Sequence, residues 1–114
     1  MKRPNPLLVT RSADRFAALG AEARLAIVRL LLSAHPTGMT AGEIQEELEI
    51  PASTLSHHLE KLKQVGLVSA RREGTFLWYA ASTEALREVL AFLYEECCTR
   101  NRAVAPESVV QITR

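Results

Sequence analysis

At Gly66 the hydrophobic period of this chain changes, and that change limits the fold more than any other feature. Upstream, apolar residues recur at the three- and four-residue spacing of helices, with Leu55, Leu59 and Leu62 the cleanest stripe. Downstream, Leu67–Arg72 and Thr75–Ala80 read as two short strands. Glu73-Gly74 between them is a hairpin signal. A chain with this pattern is mainly α-helical and carries one small β-hairpin.

Punctuation divides the helical part. Residues 1–11, with Pro4, Asn5 and Pro6, read as an arm. A helix from Ser12 carries Phe16 and Leu19 on one face and ends at Gly20. A second, largely buried helix spans about 21–34 and is broken by His35-Pro36-Thr37-Gly38. Thr40 with Glu43 forms a capping-box signature that opens a short helix with Ile44 and Leu48 inward. Ile50-Pro51 ends it, because the residue before proline avoids helical angles. A longer helix over about 53–65 follows, with Ser53 as its cap, and Gly66 stops it. After the hairpin, a last helix starts near Ser82 or Thr83 and runs into Glu95-Glu96-Cys97-Cys98. Residues 99–114, with Pro106, read as a tail without regular structure. The expected order is α-α-α-α-β-β-α within one domain over residues 12–98. A short helix, a tight turn, a longer helix and a hairpin make a winged helix-turn-helix.

The bulk numbers agree with one small globular domain: 114 residues, of which 47% are hydrophobic. No apolar run is long enough to cross a bilayer, and Met1-Lys2-Arg3-Pro4 leads into no signal-type apolar core, so a cytoplasmic protein is expected. The net charge of +1 is unremarkable, but the charges segregate. Lys61, Lys63, Arg71 and Arg72 cluster, while Glu43, Glu46, Glu47 and Glu49 lie elsewhere. Cys97 and Cys98 are adjacent, and consecutive Cα atoms about 3.8 Å apart sit below the span of an unstrained disulfide. Two free thiols are expected. No phosphate loop, metal-ligand cluster or nucleophile with a base and an orienting group stands out, so an enzyme is not expected.

A helix-turn-helix presents its second helix to the major groove. The exposed face of that helix carries Ser53, Thr54, Ser56, His57, His58 and Lys61. Small hydroxyls near a helix start suit phosphate contacts, and Ser53 could equally be a cap and nothing more. His58, beside Leu59, suits packing or a phosphate better than a base. Alternation along a strand lets only one of Arg71 and Arg72 face the groove, and Arg72 is expected to do so. Gly74 and Thr75 at the hairpin tip would reach the flanking backbone or minor groove. Trp78 and Tyr79 suit packing rather than base stacking.

Three segments together resemble the ArsR/SmtB family over roughly residues 13–98: Phe16–Ile27, Ser53–Val68, and Arg72-Glu73-Gly74 followed by Tyr79. That resemblance implies a homodimeric DNA-binding repressor with its first and last helices at the dimer interface. Here those faces are Phe16 and Leu19 with Leu86, Val89, Leu90 and Leu93, for which intrachain packing is the competing reading. The partner implied is a near-palindromic double-stranded operator. Where many members carry Gln, this chain has Ala52, which removes one base contact and leaves the operator sequence open. The family's metal sites do not map: the helix before the recognition helix has no cysteine, and the last helix has no histidine. What remains is Cys97 and Cys98, similar to the vicinal pair of arsenic-responsive members but without a third cysteine. The resemblance therefore implies no obligatory cofactor. It points to a trivalent arsenical as inducer, arsenite or methylarsenite, the latter leaving two positions for sulfur. A redox sensor and a ligand-independent regulator stand as alternatives.

Overall fold

A computed structural model describes residues 5–97, 99 and 100. Among these residues the chain forms helices α1 (Pro6–Leu19), α2 (Glu22–Ser33), α3 (Ala41–Leu48), α4 (Ala52–Gln64) and α5 (Thr83–Tyr94). Strands β1 (Met39–Thr40), β2 (Val68–Glu73) and β3 (Phe76–Ala81) complete it. The order confirms a winged helix-turn-helix and adds one strand to it.

Helix α1 corrects the expected arm. It starts at Pro6 rather than Ser12, because Asn5 caps it: the Leu7 N–H donates to Asn5 Oδ1 at 2.8 Å. Proline at the first helical position loses nothing, since that N–H has no partner within the helix anyway. Residues that look like breakers in sequence are here a start signal. The expected tail falls largely on 101–114, outside the described residues, as does Cys98.

The core forms where α2, α3, α4 and the sheet meet. Ile27, Leu31, Ile44, Leu55, Leu62 and Leu67 are essentially inaccessible to solvent. Each such side chain contributes roughly 1.5–3 kcal/mol by leaving water. Ala85 joins the core from α5, and Val89 is buried on the same helix one turn further on. Val89 corrects an expectation: at 1% exposure it is already covered within the chain and has no surface to offer a second subunit. Leu86, Leu90 and Leu93 lie on another face of α5, half-buried or, for Leu93, 60% exposed. On α1, Phe16 and Leu19 are half-buried, and Leu19 packs against the core.

The sheet is antiparallel in the order β1-β3-β2. Strand β1 is two residues long and leaves little trace in sequence. It exists because Met39 and Thr40 pair with Tyr79 and Trp78 of β3. Thr40 is also the N-cap of α3, where its side chain and Glu43 form the expected capping box.

Candidate nucleic-acid interface

Helix α4 buries Leu55, Leu59 and Leu62 and turns the rest of its surface outward. Ser53, His57 and Lys61 follow one another at four-residue intervals, so they form one exposed row. Thr54 and Ser56 are exposed on either flank of that row. The cap expected at Ser53 is not there. The N-cap is Pro51 and makes no side-chain hydrogen bond, so Ser53 falls inside the first turn. The cause is Pro51 itself, whose restricted φ suits the entry to a helix. Among the described residues no side chain accepts from the first-turn N–H groups of α4, an arrangement that attracts anions.

His58 behaves differently from His57. It is half-buried, and its Nδ1 lies 3.3 Å from Arg24 Nη1. Arginine can only donate, so Nδ1 accepts and the proton of the neutral ring sits on Nε2. Burial holds the His58 pKa below its usual value, and the nearby charges of Arg24, His57 and Lys61 push in the same direction. Arg24 Nε also donates to the Ala18 carbonyl at 2.7 Å. Arg24 thus joins the end of α1 to the flank of α4, a role the sequence reading did not assign. It sits inside the Phe16–Ile27 segment that carried the resemblance.

Glu60 was also missed. It is exposed on α4, in line with Ser56, and lies 3.8 Å from Lys63 Nζ. A carboxylate on this face repels phosphate and can accept from the cytosine amino group.

In the wing, Glu73 pairs with Phe76, leaving Gly74-Thr75 as a two-residue turn. Gly74 has φ 62° and Thr75 is not left-handed, the signature of a hairpin turn with glycine first. Strand alternation separates the two arginines. Arg71 shares a face with Glu73 and Trp78 and is occupied there. It donates to the Thr37 carbonyl at 2.9 Å, pairs with Glu73 at 3.4 Å and lies 5.6 Å from the Trp78 ring centroid. Arg72 points the other way, on the face that continues Ala70 and Val68 beyond the core. It is exposed and engages no acidic group among the described residues. Trp78 is half-buried beneath Arg71, and Tyr79 packs on the core.

Cys97 lies in the turn after α5, half-buried, with its N–H donating to the Tyr94 carbonyl at 2.8 Å.

The helix-turn-helix domain family matches residues 19–70, from the end of α1 into β2. The transcriptional regulator MJ1325 of Methanocaldococcus jannaschii is 38% identical over 75% of this chain and 93% of its own length. The transcriptional repressor SdpR of Bacillus subtilis is 35% identical over 68% of this chain and 83% of its own length. An ArsR-like transcriptional regulator from Rhodococcus sp. RHA1 superposes with a TM-score of 0.72 at 24% identity, covering 91% of this chain and 93% of that one. The homodimeric winged helix-turn-helix DNA-binding domain of Mb0332 from Mycobacterium bovis does so with a TM-score of 0.65 at 25% identity, covering 92% and 98%. The chain belongs to the helix-turn-helix transcriptional regulators, and its fold is the winged helix-turn-helix of the ArsR-like regulators on which it superposes. It is a DNA-binding regulator and not an enzyme. No helix among the described residues is long and apolar enough to cross a membrane.

Proposed function

We propose that this chain is a homodimeric repressor of the ArsR family that reads a near-palindromic operator with α4 and is released by a trivalent arsenical at Cys97 and Cys98. The observation that carries the operator reading is the exposed Ser53–His57–Lys61 row on a helix whose first turn has no side-chain cap. Phosphate settles at that open end, and His57 and Lys61 extend along the groove. Arg72, Gly74 and Thr75 follow the flanking backbone. Leu86, Leu90 and Leu93 on α5, with Phe16 and Leu19 on α1, supply the apolar face for a second copy. A two-fold dimer sets two copies of α4 about one DNA turn apart. Repression follows the action for which SdpR is named.

The inducer reading rests on two consecutive thiols just past α5. Trivalent arsenic is thiophilic, and an arsenical with one organic substituent has two positions for sulfur. Ligation there reshapes the end of the helix that joins the subunits and shifts the two copies of α4 out of register with the operator.

Fluorescence anisotropy on the duplex upstream of the protein's own gene, with methylarsenite and arsenite titrated in parallel, tests both parts. Tight, salt-dependent binding released by methylarsenite at lower concentration than by arsenite supports them. A Cys97→Ser variant that still binds but no longer responds assigns the thiols. Binding indifferent to both arsenicals keeps the operator and discards the inducer; release by an oxidant instead makes the pair a redox sensor. A reporter that falls when the gene is deleted marks an activator and overturns repression.

A further inference from the structure

Arg15 of α1 is buried to 9% exposure, although nothing in the sequence sets it apart from Arg11 one turn earlier. Its Nε donates to the Val65 carbonyl at 2.8 Å, and its Nη1 lies 3.2 Å from Glu88 Oε1 on α5. Arg11 reaches the same carboxylate oxygen at 2.7 Å from the solvent side. The Val65 carbonyl stands at the C-terminal end of α4. There the Leu67 N–H donates to the Leu62 carbonyl and the Gly66 N–H to the Lys63 carbonyl, a Schellman closure. That closure leaves the Val65 carbonyl without a backbone donor, and the Arg15 guanidinium takes it, at the negative end of the helix dipole.

A buried guanidinium is an expensive way to fill space. A well-packed apolar side chain of similar volume serves stability as well or better. What the apolar side chain cannot do is fix distances and directions among three elements at once. We infer that Arg15 is a positioning residue for DNA recognition: its guanidinium locks the exit of α4 to Glu88 on α5 and so sets the angle at which α4 leaves the body of the protein. This rests on the operator reading above. Arg15 itself touches no DNA, because its side chain lies between α1, α5 and the end of α4 opposite the uncapped first turn.

The prediction is a loss of discrimination rather than of charge. Phosphate contacts tolerate a small tilt of α4, whereas base contacts at two half-sites do not. Anisotropy with the full-length dimer, on the upstream duplex and on a scrambled duplex of equal length over a range of salt, reads the difference. Arg15→Met is expected to bind the upstream duplex about ten-fold more weakly, within the usual range for residues that couple elements without touching ligand. Its affinity for the scrambled duplex and its salt slope stay at the wild-type values. Glu88→Leu is expected to lose discrimination in the same way, and Arg15→Met/Glu88→Leu no more than Arg15→Met alone. Equal weakening on both duplexes, or unchanged discrimination in folded Arg15→Met, overturns the assignment. If Arg15→Met does not fold, Arg15→Lys replaces it. Lysine keeps the charge but cannot hold both partners in the same fork, so partial loss of discrimination supports the role and full retention overturns it. Wild-type protein that binds both duplexes alike would overturn the operator reading instead. Amide exchange at Gly66 and Leu67 then decides the Arg15 tie alone: faster exchange in the variant upholds it, unchanged exchange removes it.

Discussion

The two ends of α4 are built by opposite rules. At its start, Pro51 provides no side-chain acceptor, and Ser53 and Thr54 stand exposed above open N–H groups. At its end, the backbone closes on itself through Gly66 and Leu67, and Arg15 takes the Val65 carbonyl. The open end is left for a partner, and the closed end belongs to the fold. The contrast teaches where to expect which kind of damage: changes to the packing and backbone turn of the closed end should cost stability, the Arg15 tie there should cost operator discrimination, and changes on the open face should cost DNA affinity alone.

Four measurements break or sharpen that contrast. The largest effect is expected from Leu62→Ala, a fully buried side chain near the closed end. Urea unfolding should show a loss of about 2–5 kcal/mol; a loss under 1 kcal/mol would mean that the closed end is not part of the core. Next comes Gly66→Ala. Gly66 has φ 76°, and an added Cβ would lie 3.3 Å from Arg15 Nη2. The left-handed backbone alone costs an alanine about 1–2 kcal/mol, and calorimetry that finds no drop in Tm would show that this turn can rearrange. Lys61→Ala on the open face should leave stability within about 0.5 kcal/mol of wild type. It should also weaken binding alike on all sequences and lower the salt slope by about 1. A change confined to one operator sequence would make Lys61 a base reader.

The smallest effect concerns His58, on the flank between the two regimes. Its pKa in the folded protein lies below the ordinary histidine value of 6.5, through burial first and then the charges of Arg24, His57 and Lys61. The unfolded chain therefore takes up the proton first as pH falls. The advantage of neutral His58 is complete above pH 6.5 and shrinks as pH falls from there toward the folded value. Stability of wild type relative to His58→Gln should narrow over that window, and a constant gap would show that the Arg24 contact does not depend on a neutral ring.

The open face was legible in the sequence because everything that defines it is local. The leucine stripe fixes which side of α4 is buried, and Ser53, His57 and Lys61 are what remains. The hairpin and the capping box at Thr40 are local signals too. The closed end was not legible. Val65 and Glu88, the partners of Arg15, lie 50 and 73 residues away in the chain. A buried arginine looks like any other arginine until the helices are packed. The start of α1 was misread for another reason: Asn5 and Pro6 have two meanings, breaker and cap, and only the backbone geometry separates them. Strand β1 has no pattern of its own and owes its existence to the register of β3.

Thr40 ends β1 opposite Trp78 and begins α3 as its cap. A single residue is thus shared between the wing's sheet and the helix that braces α4. The hairpin is consequently not a loose antenna. A tilt imposed on it by a DNA strand would reach the first turn of α3 through one peptide unit, which ties the wing's position to the helix that braces α4.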